Sequence, residues 1–205
     1  MAKNSTTAER KTQIVDATIE CIARHGYNNF SMQDVAKAAG VSKGIIHYYF
    51  LNKDDLMLCV LEKVVANIEL LLHKTLSKAS STREKLQLFI EVCTGLVETT
   101  QPYYQVNMDF WTQINHKPEI KEIVAGYYER FRFLCTKVLE QGVKEGTFKE
   151  HSSKEYSSII MGVVDGVSIQ YLFDKNAFDY KNVIAKTTEM ILNAITLNKV
   201  PSNHE

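Results

Sequence analysis

Residues 30–50 read FSMQDVAKAAGVSKGIIHYYF, and this stretch predicts two short helices joined by a tight turn. Ser31 stands three residues before Asp34, which is the spacing of a capping box at the start of a helix. Gly40 is expected to end the first helix, because glycine adopts a left-handed turn without a Cβ clash. Ser42 is then placed to cap the second helix. The stretch therefore predicts a helix-turn-helix motif.

The second of these helices has an inward and an outward face. Ile46, Tyr49 and Phe50 fall on the inward side at helical spacing, with Ile45 at its margin. A short helix with polar donors near its N-terminus is typical of a recognition helix that enters the major groove of DNA. An ordinary helical hairpin with a solvated polar face is the alternative interpretation. The outward residues are Lys43, Gly44, His47 and Tyr48.

The same stretch resembles the signature of the TetR-type transcriptional regulators. The resemblance covers about residues 10–57, and this range includes the helix before the motif, which ends at Gly26 and Tyr27. Many positions agree in register, which favours a DNA-binding head over a plain helical hairpin. The matching residues are Phe30, Ser31, Val35, Ala36, Ala39, Gly40, Val41, Ser42, Ile46, Tyr49, Phe50, Lys53 and Leu56.

The resemblance implies which residues face DNA. We also expect a homodimer that binds a palindromic double-stranded operator, because one seven-residue recognition helix reads few base pairs and two-fold symmetry doubles the readout. His47 departs from the family, which usually has tyrosine at that position; a histidine still donates to a phosphate or a base edge, but its charge depends on pH. The residues expected to face DNA are Ser31, Gln33, Ser42, Lys43, Gly44, Ile45, His47, Tyr48, Tyr49 and Lys53.

The length and charge of the chain fit a small head followed by a larger body. We expect a DNA-binding domain over 1–53 and a ligand-binding and dimerisation domain over 54–205. The 205-residue chain has no net charge, but residues 1–53 carry seven Lys/Arg and four Asp/Glu. This net charge of +3 has the sign expected for a head that binds DNA, although moving the boundary to Asp55 lowers it to +1.

Helical periodicity extends over the rest of the chain and predicts an all-α fold with about nine helices. Residues 77–82 are rich in serine and are expected to be a linker. Besides the two motif helices, the predicted helices lie at about 8–25, 53–77, 83–100, 103–116, 119–144, 154–173 and 180–197.

Aromatic side chains collect in the predicted body between residues 86 and 139. Aromatic walls with a few polar groups are typical of a small-molecule pocket, although the same residues would also serve as an ordinary core. The family resemblance implies an inducer cavity among these helices. We therefore expect a small apolar or aromatic inducer that contacts Phe89, Cys93, Phe110, Trp111, Tyr127 and Phe131.

The segment 154–173 is apolar around most of its circumference, and a soluble helix of this kind must be buried on several sides. Gly162 and Gly166 permit the close approach of another helix. Together with the last predicted helix, whose apolar residues fall on one face, this segment predicts half of a four-helix dimer interface. The family resemblance also implies such an interface. The expected interface residues are Ile160, Val163, Val164, Val167, Ile191 and Ile195.

The sequence contains no constellation typical of an enzyme: no glycine-rich phosphate loop, no nucleophile elbow and no His-Glu metal spacing. It also lacks a signal peptide and a long uninterrupted apolar run, so we expect a cytoplasmic protein without a membrane span. Its histidines and cysteines are scattered over different predicted elements, and we expect neither a metal nor a cofactor. The function expected is a ligand-released repressor. A helical protein-interaction module, or a metal or thiol sensor, is the alternative; its potential ligands are His116, His151, Cys21, Cys59, Cys93 and Cys135.

Overall fold

The computed structural model describes residues 6–26, 29–99, 108, 111 and 115–197. Within these ranges the chain forms eight helices and no strand, which confirms the all-α prediction. Most of the helix predicted over 103–116 lies outside the described residues. Met108 and Trp111, the two residues of its central part that are described, have helical backbone.

Three helices form the N-terminal part: α1 (Thr7–His25), α2 (Met32–Ala38) and α3 (Lys43–Tyr49). The end of α1 lies at Gly26, which has φ 80°, and the turn after α2 passes through Gly40 at φ 63°. Only glycine adopts such angles without strain, so both helices end where the sequence predicts. Apolar residues of all three helices are buried, among them Ile14, Val35 and Ile46.

Two longer helices follow, α4 (Lys53–Leu76) and α5 (Thr82–Thr99), with the predicted serine-rich linker between them. Most apolar side chains of α4 are buried, but Leu71 is 45% exposed. The linker is ordered by side-chain contacts: both the backbone N–H and the hydroxyl of Ser80 donate to the Glu84 carboxylate, at 2.7 and 2.6 Å.

The remaining helices are α6 (Pro118–Lys144), α7 (Ser153–Phe173) and α8 (Tyr180–Ile195). A tight turn follows α6, in which the backbone N–H of Phe148 donates to the Gly142 carbonyl at 3.0 Å. The Phe148 ring packs directly on Gly142, since a Cβ at Gly142 would lie 2.0 Å from the ring. Gly142 therefore fixes the end of α6, because only a residue without a Cβ leaves room for this ring.

The described residues divide into two compact units. The first contains residues 6–26 and 29–68 with Met108, Trp111 and 115–125, and the second contains 69–99 and 126–197. Helix α4 runs through both units, changing from one to the other between Ile68 and Glu69. The division predicted after Lys53 concerns function and stays a prediction.

Candidate functional site

The start of α2 is held by a complete capping box. The Ser31 hydroxyl oxygen accepts from the Asp34 N–H at 3.3 Å, while the Asp34 carboxylate accepts from the Ser31 N–H at 2.9 Å and from its hydroxyl at 2.7 Å. These hydrogen bonds from Ser31 lower the pKa of Asp34. With both its N–H and its O–H donating to Asp34, Ser31 has no donor left for a phosphate in this arrangement. Ser31 therefore positions α2, and the DNA contact expected of it stays a prediction.

Helix α3 presents the polar strip that the sequence predicts. Lys43, Gly44 and His47 are exposed, and Tyr48 is 78% exposed. On the opposite side Ile46 and Phe50 are buried, which anchors the helix to the rest of the first unit. Ser42 caps α3 by accepting from the Ile45 N–H, so its hydroxyl proton is still available to donate. Tyr49 is half-buried, and the Tyr48 ring meets it edge to face at 5.1 Å.

Two side chains brace the motif from neighbouring helices. Lys53, the first residue of α4, donates from Nζ to the Phe30 carbonyl at 3.2 Å and lies 3.9 Å from the centroid of the Phe30 ring. Gln13 of α1 donates from Nε2 to the Ala39 carbonyl at 2.7 Å, which satisfies a carbonyl at the end of α2. Lys53 therefore fixes the approach to α2, in addition to the DNA contact expected of it.

Four of the six residues expected to contact an inducer lie in the second unit. Phe89, Cys93 and Phe131 are buried, and half-buried Tyr127 packs its ring on Phe131 at 4.6 Å. Trp111 is half-buried but lies in the first unit. Phe110 lies outside the described residues.

Sequence reasoning did not assign a ligand role to Asp165, a carboxylate in the middle of apolar α7. The Tyr128 hydroxyl donates to its Oδ2 at 2.8 Å, and Tyr128 in turn meets Tyr127 edge to face at 5.0 Å. Burial raises the pKa of Asp165, and the hydrogen bond from Tyr128 offsets part of that rise. The Asp165 carboxylate also contributes to the raised pKa of the Cys93 thiol, after burial and Cys135. The sequence offers one signal, an acidic residue within an apolar helical run, but this signal does not tell whether the carboxylate faces a partner or a cavity.

The cysteines do not form a reactive or metal-binding group within the described part of the chain. All four are free, and burial raises the pKa of each thiol, to about 12 for Cys135. A thiol with a raised pKa carries little thiolate at neutral pH and reacts slowly. Among the described residues, no three His, Cys, Asp or Glu side chains come together in a way that would hold a metal ion.

The dimer residues expected from the sequence divide into two sets. Ile160, Val164 and Ile195 are buried within the chain, so in this conformation they are not available to a partner. The sequence pattern missed this because α7 also packs inward against its own chain. Val163, Val167 and Ile191 are half-exposed. Three apolar side chains of the same two helices that were not among the expected interface residues are exposed: Ile159, Phe173 and Met190.

Models of two protein families match the chain. Residues 14–60 match bacterial regulatory proteins of the tetR family. Residues 82–195, more than half of the chain, match the C-terminal part of BetI-type transcriptional repressors.

Several individual proteins are similar over most of their length. The fatty acid metabolism regulator protein of Bacillus subtilis is 24% identical over 192 residues, which cover 89% of this chain and 94% of that protein. A transcriptional regulator from Saccharomonospora viridis, solved in complex with choline, superposes with a TM-score of 0.83 at 24% identity, covering 94% of this chain and all of that one. FadR from Bacillus subtilis, in complex with stearoyl-CoA, gives a TM-score of 0.71 at 22% identity, covering 90% and 98% of the two chains.

Proposed function

Since this chain belongs to the TetR family of bacterial regulatory proteins, with a C-terminal part of the BetI type, we propose that it is a repressor that releases its operator when a small organic cation binds. Membership makes it a DNA-binding transcription regulator that responds to a ligand, and not an enzyme. The repressor role, the palindromic operator, the cytoplasmic location and the class of ligand are our proposals.

The exposed strip of α3 supports the proposed DNA interface. Lys43, His47 and Tyr48 offer donors there, and the Ser42 hydroxyl lies at the helix N-terminus. Such groups contact phosphates and base edges when a recognition helix lies in the major groove. Gln33, Gly44, Ile45 and Tyr49 complete the proposed interface, with Lys53 at its border.

A second copy of the chain is the proposed cover for the outward face of α7 and α8. By length and composition alone α7 would also suffice to cross a membrane, and 28% of its most apolar window is buried within the chain. We favour a homodimer because Phe173 and Met190 expose apolar surface on both helices, next to half-exposed Val163, Val167 and Ile191. Two-fold symmetry would also double the number of base pairs that one short recognition helix reads.

Asp165 carries our proposal about the ligand. From the sequence we expected an apolar or aromatic inducer, but a half-buried carboxylate among aromatic rings favours a ligand that also carries positive charge. Aromatic faces attract cations with apolar substituents by about 0.5 to 2 kcal/mol per ring. Tyr127, Tyr128 and Phe131 are the rings we assign to this site. The choline bound to the Saccharomonospora viridis regulator belongs to the same chemical class.

A fatty acyl-CoA is the second candidate, because it is the ligand of the FadR structure. The observation against it is again Asp165. A neutral alkyl chain placed beside this carboxylate would strip it of water without supplying a counter-charge, which is unfavourable. We therefore rank the organic cation first.

Calorimetric titration separates these two candidates. Choline should bind one molecule per chain, while 3,3-dimethylbutan-1-ol, which has its shape but no charge, should bind at least about tenfold more weakly. Asp165→Asn should abolish choline binding, and Asp174→Asn, at an exposed position just after α7, should leave it unchanged. Equal affinity for choline and its neutral analogue, or binding of stearoyl-CoA but not of choline, would refute the proposed ligand class.

Helix α4 is the proposed route from ligand to DNA. It begins at Lys53, beside the motif, and ends at Leu76 in the second unit. A ligand shifts DNA binding only if it prefers the conformation that binds DNA poorly. To weaken operator binding a hundredfold, it must favour that conformation by about 2.7 kcal/mol.

A further inference from the structure

A groove of about 400 Å³ lies between α5 and α8 in the second unit. Its floor is formed by buried residues of both helices: Thr94 on α5, and Tyr180, Ile184 and Leu192 on α8. Asp165 does not line it, so this groove is separate from the ligand site proposed above. The groove lies on the side of α8 opposite Val183, Thr187 and Met190. A second copy of the chain packed on those three residues would therefore leave the groove open.

Thr188 gives the groove an unsatisfied polar group. This residue is 5% exposed, and its Oγ1 has no hydrogen-bond partner within the described structure. A threonine inside a helix usually donates to the carbonyl four residues before it, as Thr94 does on the facing helix. A buried hydroxyl without a partner costs free energy, and a polar ligand in the groove would satisfy it.

Carboxylates predominate on the groove walls. Glu91 and Glu98 stand on α5 and Glu189 on α8, against the two cations Arg83 and Lys181. The Arg83 guanidinium already donates to the Thr196 hydroxyl at 2.8 Å. Glu91 and Glu98 are seven residues apart, so they lie on one face of α5 about 10 Å apart along its axis.

Gly95 lies between these two carboxylates and keeps the groove open. A Cβ added there would meet no described atom within 4 Å. Glycine inside a helix is unfavourable relative to alanine, so its presence is consistent with a need for space at this point. Apolar Ile184 and Leu192 lie on the facing helix.

From this arrangement we propose that the groove binds a linear aliphatic diamine or polyamine. One ammonium group would pair with Glu91 and another with Glu98, and the alkyl chain would lie over Gly95, Ile184 and Leu192. Thr188 would accept a hydrogen bond from an ammonium N–H. The site would give the protein a second ligand, different in shape from a compact cation such as choline.

The test is calorimetric titration of the full-length chain with 1,8-diaminooctane, whose two ammonium groups match the spacing of the carboxylates. We expect one molecule to bind per chain, and 1,8-octanediol, the neutral analogue, to bind at least about tenfold more weakly. The double variant Glu91→Gln/Glu98→Gln should lose about tenfold in affinity, since both ion pairs are partly exposed. Gly95→Leu should abolish binding by filling the groove. Glu129→Gln, at an exposed position on α6, should bind like the wild type.

Asp165→Asn should also bind the diamine like the wild type, which separates this groove from the proposed choline site. The proposal is overturned if the wild type binds no diamine at a concentration of about 10 mM, because a specific site should bind more tightly than that. It is also overturned if the diol binds equally well, if neither groove variant weakens binding, or if Asp165→Asn abolishes it.

Discussion

Asp165 is the single residue that most alters the function expected from the sequence. Aromatic content alone predicts an apolar pocket, whereas a carboxylate held by the Tyr128 hydroxyl favours a cationic ligand. No periodicity identifies such a residue, because one acidic side chain on an apolar helix faces either a partner or a cavity. Its environment had to be seen in three dimensions.

The raised pKa of Asp165 predicts how ligand binding depends on pH. A cation binds the ionised carboxylate, so affinity for choline should be constant at high pH and fall as the pH drops through the pKa of Asp165. Because burial raises this pKa, the fall should begin at a higher pH than an ordinary aspartate would give. Below the pKa the affinity should decrease about tenfold per pH unit. Titrations between pH 4 and 8 check this, and a flat profile in the wild type would contradict it.

Individual residues of the motif should separate into two kinds when substituted. Lys43→Ala should cost about 1 to 3 kcal/mol in binding the operator and should relax the base preference at one position. Lys53→Ala should weaken binding to all sequences and also lower the melting temperature, because Lys53 holds the Phe30 carbonyl and ring. Lys154→Ala, on α7, is the control. The check is to titrate each variant with operator DNA and with random DNA. The assignment is wrong if Lys43→Ala and Lys53→Ala each lose as much affinity for random DNA as for the operator.

At the scale of elements, local signals in the sequence were sufficient for the motif. The capping box of Ser31 and the left-handed glycine at position 40 set the helix ends, and both are visible as residue types at fixed spacing. The end of α6 could not be predicted in this way. Gly142 is required because the Phe148 ring occupies the place of a Cβ, and that contact depends on a turn the sequence does not specify.

The contact between Gly142 and Phe148 predicts a large effect of one added methyl group. Gly142→Ala should destabilise the fold by about 1 to 3 kcal/mol, because the methyl group would overlap the Phe148 ring. Gly126→Ala, also within α6, is a matched control, since no described atom lies within 4 Å of its added Cβ. That control should be neutral or slightly stabilising. Equal unfolding free energies for the two variants in urea would show that the ring contact is unimportant.

For the whole molecule, the sequence predicted the fold class and the order of helices, but not which side of α7 faces its own chain. A helix that is apolar all round fits an inward and an outward contact equally well, so Ile160 and Val164 were assigned to the partner although they are buried internally. The outward face became visible only through exposed residues such as Phe173, which is 76% exposed.

That outward face predicts the oligomeric state. Phe173→Asp combined with Met190→Asp should convert the proposed dimer to a monomer, because each places a charge in the apolar contact. Sedimentation velocity at about micromolar concentration measures this directly. Leu70→Asp, at an exposed apolar position on α4, is the control and should remain dimeric. A wild-type monomer, or a dimer that survives both aspartates, would place the interface elsewhere.

The central claim is that an organic cation bound at Asp165 releases the protein from DNA. The most direct measurement is a gel shift with the DNA upstream of its own coding sequence, titrated with choline and with its neutral analogue. We predict that choline releases the wild-type protein, that the neutral analogue does not, and that Asp165→Asn stays bound at every choline concentration. Equal release of the wild type and Asp165→Asn by choline would contradict the account.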